Sequence, residues 1–227
     1  MPENASIRRT SLVAGVAGIA GVLMIGMSFG INTGPPIGAS EQQLITFAAT
    51  HSRPVLWGAW LQSVGPLLIM GFALTLVHLA NFHNKISGSL TLLGASILMM
   101  VSLAEVVCYM AALDAVPSSM GLIGNAVGHV IQHLYFIVAA PAVFIPLGIV
   151  IRGSRVLPRV FGTLAILLGT AFFVLGVKTL YDQILSPAVT SFAAIQALWW
   201  LSAAIALMLR SRTEAELTNA ASVRASS

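Results

Sequence analysis

The chain has 227 residues, 57% of them hydrophobic and only 8% charged, with mean hydropathy +0.93. Soluble domains carry about 25% charged residues, so the composition excludes an ordinary globular enzyme and points to an integral membrane protein. The net charge of +4 is spread between apolar runs, where it reads as a topology signal, and no nucleic-acid partner is expected. A single cysteine, Cys108, excludes an internal disulfide framework and any cysteine-cluster metal site.

Six apolar runs are long enough to cross about 30 Å of hydrocarbon, which takes about 20 residues. They cover approximately residues 11–31, 54–80, 88–113, 125–151, 160–180 and 191–209. The fold class predicted is all-α: a polytopic bundle of six transmembrane helices spanning residues 11–209. Polar tails at 1–10 and 210–227 flank it, and the lipid bilayer is its principal partner. The first run is too long for a signal-peptide core, and no A-x-A-like site follows before Asn32, so it is read as a true span. It carries Gly15, Gly18 and Gly21, then Gly26 and Gly30 at GxxxG spacing, a pattern that permits close helix approach.

After Thr33-Gly34-Pro35-Pro36, which breaks the chain, Ser40 and Gln43 have the form of a capping box. Leu44, Ile45, Phe47 and Ala48 then form an apolar face, which predicts a short helix over 41–51 lying at the outer interface. Gly65-Pro66 should kink the second span, and Pro141 and Pro146 should bend the fourth. Pro117, Ser118, Ser119 and Gly121 make a turn between spans three and four. Three plus three spans would suit an inverted repeat, but the Gly-Pro of span two has no counterpart in span five.

The basic residues set the expected orientation. With the N-terminus inside, nine lie on the inner side: Arg8, Arg9, Lys85, Arg152, Arg155, Arg159, Arg210, Arg212 and Arg224. Only Arg53 and Lys178 lie outside. That bias places both termini in the cytoplasm of a multi-pass protein of the inner (plasma) membrane.

The chemistry lies in spans three and four. Asn125, His129, Gln132 and His133 share one helical face. Span three answers with Glu105 and Tyr109, one turn apart. Glu105 and His133 both lie about eight residues, roughly 12 Å, from the outer ends of their spans, and the short connection makes the spans antiparallel neighbours. His133 is therefore the expected partner of Glu105. Gln62 and Ser63 on span two, Lys178 on span five and Gln196 on span six fall in the same outer half. Trp57, Trp60, Trp199 and Trp200 are placed near that level. Together these residues predict an outward-facing polar pocket.

Two readings of the pocket stay open. His129 and His133, at i and i+4, can share one divalent metal or contact a haem, with Glu105 supplying an oxygen. Two histidines on one helix cannot clamp both faces of a haem, and no H-E-x-x-H motif is present. Alternatively, Glu105, Tyr109, Gln132, Gln62, Lys178 and Gln196 line a site for a small ligand, or Glu105 and His133 simply satisfy each other. No catalytic residue is assigned. The protein is then a membrane-embedded ligand-, metal- or haem-binding protein, a proton- or cation-coupled transporter, or an accessory subunit contacting a partner chain or a second copy.

The stretch Arg152-Gly-Ser-Arg155-Val-Leu157-Pro158-Arg159-Val-Phe-Gly162 resembles a bacterial family of six-span membrane proteins of unknown function. In that family a short basic turn with Leu, Pro and Arg joins spans four and five and runs into a Gly-rich helix. Ser52-Arg53-Pro54 and Glu105 are similar as well. The resemblance implies a six-helix fold in a bacterial inner membrane and brings no substrate or catalytic residue with it.

Overall fold

A computed structural model describes residues 2–31, 39–114, 119–179 and 186–226. Within these ranges the side chains of 2–5, 112, 114, 119–122, 125, 128, 129, 132, 179, 186–190, 212 and 214–226 are outside the described set. The break at 33–36 and residues 117 and 118 of the expected turn fall outside it, while 119–121 begin a helix.

The described elements are α1 (Pro2–Ile31), α2 (Glu41–Leu79), α3 (Ile86–Asp114), α4 (Ser119–Leu134), α5 (Ala140–Arg152), α6 (Arg159–Thr179) and α7 (Ser186–Ser226). A π-helical turn, Tyr135–Ala139, joins α4 to α5. α4, this turn and α5 are continuous, and among the described residues Tyr135–Arg152 is the part long and apolar enough to cross a membrane as span four, where 125–151 was expected; six helices in all meet that measure. The all-α six-helix bundle is the expected one, and its physical reason is general: in hydrocarbon every backbone polar group must be satisfied within its own segment. Large apolar side chains such as Leu93, Met100, Val107, Leu167 and Val174 point outward from the bundle, as a lipid-facing surface requires.

Two expectations change in detail. The short helix at 41–51 is not a separate element lying at the interface. It is the first part of α2, which runs unbroken for 39 residues through Pro54 and Pro66. Its capping box is as read from sequence, with Ser40 N–H donating to Gln43 Oε1 (2.9 Å) and Gln43 N–H to Ser40 Oγ (3.4 Å). The polar ends expected as tails are helical extensions of α1 and α7.

Prolines inside α2 and span four remove backbone donors, and α3 compensates. Pro66 cannot donate to the Gln62 carbonyl, which instead accepts from Ser102 Oγ at 3.0 Å. Pro146 likewise frees the Ala142 carbonyl. Gly94 of α3 lies so close to it that a Cβ there would stand 2.0 Å from the oxygen, a backbone approach suited to a Cα–H···O contact. Pro141 frees the Ile137 carbonyl at the π-turn, where the Ala140 N–H reaches back five residues to Tyr135 O.

Glycine seams close the other helix pairs. Gly21 of α1 and Gly65 of α2 each press on the other's carbonyl, and Gly15 meets Met208 and Ala204 of α7. Gly162, Gly169 and Gly176 of α6, seven residues apart, face Gly148, Ile145 and Ile137 of span four. A Cβ at Gly26 or Gly30 would meet nothing within 4 Å, so that GxxxG pair makes no close helix contact among the described residues. The centre is aromatic: Trp200 packs against Phe144 (5.2 Å between ring centroids) and Phe72 (6.0 Å), and all three are fully buried.

The helix ends carrying Lys85, Arg152, Arg155, Arg159 and Arg210 gather at one end of the bundle, called here the basic end. There α2 stops in a Schellman motif. Phe82 N–H donates to Val77 O and Asn81 N–H to His78 O, with Asn81 in the left-handed region at φ 56°. Phe82 and Val77 then pack with Val150 in a small cluster of their own.

Candidate functional site

Counted from the basic end, Gln62, Glu105, Tyr135 and Gln196 lie 14 to 19 residues along their helices, or roughly 21–28 Å at 1.5 Å per residue. This is the half of the bundle remote from the basic end. Trp57 and Trp60, exposed at 64% and 53%, stand only a turn or so beyond Gln62 on α2. Exposed tryptophans at that level suit a membrane–water boundary.

Gln62 is buried between α2 and α3. Its Nε2 donates to Glu105 Oε2 at 2.7 Å while its carbonyl accepts from Ser102, one turn before Glu105. The proline after Gln62 exposes the carbonyl, and Ser102 and Glu105, three residues apart on one face of α3, engage both ends of the glutamine. Across the bundle the Tyr135 hydroxyl donates to Gln196 Oε1, tying span four to α7. Tyr135 stands in the π-turn against which α3, the helix of Glu105, packs. Polar groups of α2, α3, span four and α7 thus meet in one layer.

Of the residues singled out from sequence, Glu105, Gln62 and Gln196 are in this layer. Tyr109 and His133 are half-buried and engaged in interactions of their own. One hydrogen bond of Glu105 runs to Gln62 of α2, and α3 packs along α4, which carries the expected partner His133, and along the π-turn. His129, Gln132 and Asn125 lie on α4 with side chains outside the described set. Among the described residues no three His, Cys, Asp or Glu side chains gather to hold a metal.

Other residues read from sequence into the outer half take no part in these hydrogen bonds. Lys178 is exposed at the end of α6 and makes no polar contact among the described residues. Ser63 bonds its own helix, at Ala59 O (2.8 Å). Trp199 and Trp200 sit nearer the basic end, Trp199 donating to Phe161 O at 3.1 Å in the first turn of α6. They are core residues rather than part of the polar layer. Tyr135 and Ser102 were missed. A phenol in mid-span, two residues past His133, was the signal for the first; a hydroxyl one turn from Glu105 was the signal for the second.

No family model, curated protein or solved structure matches the chain.

Proposed function

We propose that the protein binds a small cation or a proton in the intramembrane layer formed by Glu105, Gln62, Tyr135 and Gln196. The basic end faces the cytoplasm and the layer is reached from the opposite side. The observation that carries this reading is the Gln62–Glu105 hydrogen bond at the depth of the Tyr135–Gln196 pair. A carboxylate at mid-membrane is unfavourable by about 2.5–3.5 kcal/mol on insertion scales, so an acidic residue there marks ion or proton handling by default. Glu105 is the one acidic residue in the interior of the six spans. Tyr135 and Gln196 supply further oxygens and a donor on the facing helices, as a small polar ligand needs.

A divalent metal that recruits His133, two residues before Tyr135 in sequence, is a variant of the same proposal, and a cation-coupled transporter would use the same residues. The test is elemental analysis of purified protein, then cation titrations at several pH values on wild type and Glu105→Gln. Binding, or pH-dependent proton uptake, that disappears in Glu105→Gln supports the reading. A wild-type protein that binds no cation and takes up no proton at this residue leaves the layer a structural hydrogen-bond network. Uptake into vesicles would then separate transport from binding.

A further inference from the structure

At the basic end, a cleft of about 580 Å³ opens between the connection from span four to α6 and the last turns of α7 within the bundle. Arg155 lies on the connection, Arg159 begins α6, and Arg210 and Ala206 approach from α7. Leu157, only 2% exposed, pins the connection into the core, and Ser154 folds it by accepting from Val156 N–H at 3.4 Å. The loop therefore presents Arg155 and Arg159 from a held backbone. No acidic residue is among the described residues lining the cleft, and Arg210 has an interaction of its own besides facing it.

We infer that this cleft binds the phosphate of an anionic phospholipid at the membrane surface. All three cations are arginine, whose planar fork matches phosphate oxygens two at a time. The first turn of α6 opens into the same cleft. Phe161 N–H closes on Pro158 O, and Pro158 and Arg159 at this helix start line the cleft, where the positive end of the helix dipole favours an anion. Arg159 begins one span and Arg210 ends another, so the cleft sits at headgroup level, where a lipid enters sideways with its chains along the exposed Val160 and Leu164. Basic pockets between membrane helices recognise acidic headgroups in this way. Three arginines converging from the pinned connection, the start of α6 and α7 go beyond a scattered topology signal.

The experiment compares delipidated protein returned to phosphatidylglycerol or phosphatidylcholine, with retained lipid read by native mass spectrometry. Wild type should retain phosphatidylglycerol selectively. Arg155→Gln/Arg159→Gln should weaken that retention by roughly ten- to thirty-fold, the scale for two neutralised basic groups at a membrane surface. Arg155→Gln alone, a change on an exposed loop position, should give a partial loss. Lys85→Gln removes the same charge at the same end, where Lys85 stacks 3.8 Å over Phe82 outside the cleft, and should retain the lipid. Equal retention of both lipids by wild type would overturn the inference. So would full retention by the double variant, or an equal loss in Lys85→Gln. Displacement of the lipid by inorganic phosphate at low concentration would assign the cleft to a soluble anion instead and overturn the lipid.

Discussion

The Ser102 hydroxyl donates to the Gln62 carbonyl, the one acceptor in α2 that Pro66 deprives of its helical donor. A helix defect in one span is thereby answered by a side chain of the next, and the same contact sets the register that brings Glu105 to the Gln62 amide. The defect and the candidate site are parts of one arrangement.

That arrangement predicts a non-additive pair. Ser102→Ala should lower stability by about 1–3 kcal/mol, because it leaves a buried carbonyl without a donor. In a Pro66→Ala background residue 66 regains its N–H, so the cost of Ser102→Ala should shrink to a few tenths of a kcal/mol. A double-mutant cycle on thermal or denaturant unfolding in detergent measures the difference. Additive effects would mean that Pro66 and Ser102 are not coupled.

The glycines sort into two groups with opposite expectations. Gly94→Ala would drive a Cβ to 2.0 Å from the Ala142 carbonyl oxygen, and should destabilise by about 1–3 kcal/mol through overpacking of backbone. Gly26→Ala meets open space, and should be neutral or stabilising by about 0.5–1 kcal/mol, the usual helix-interior gain of alanine over glycine. Melting temperatures of the two variants side by side provide the check.

In the polar layer the two partners are not equivalent. Gln62→Leu strips Glu105 of a buried donor and should destabilise more than Glu105→Gln, which keeps an oxygen acceptor and removes the charge. The gap should be at least about 1 kcal/mol. Comparable unfolding midpoints for the two variants would show that the Gln62 contact contributes little to holding α2 on α3.

Asn81 offers a test at the opposite end. It caps α2 with φ 56°, a conformation that only glycine and short polar residues adopt readily. Asn81→Gly should be tolerated, whereas Asn81→Val should cost about 1–2 kcal/mol and loosen the Phe82–Val77–Val150 cluster. Proteolysis of the connection between α2 and α3, compared in the two variants, reads the same change locally.

The six spans, the helical class and the Ser40–Gln43 cap were legible in the sequence, because run length and local hydrogen bonding are properties of short segments. Glu105, Gln62 and Gln196 were legible as a layer for a similar reason: depth in a span is a matter of counting residues. Which residues touch within that layer was not, since helix rotation and neighbour order depend on the packing of the whole bundle. The carbonyls freed by Pro66 and Pro146 could be counted from sequence, but only tertiary structure assigned Ser102 and Gly94 to them. For the same reason the glycine pattern of α1 offered five contact positions, of which Gly15, Gly18 and Gly21 meet other helices among the described residues while Gly26 and Gly30 do not. Trp199 and Trp200 resemble interface anchors by residue type, yet α7 turns them into the aromatic centre beside Phe144. Composition placed this chain in lipid; the packing of α3 and α7 against their neighbours decided where its polar chemistry converges.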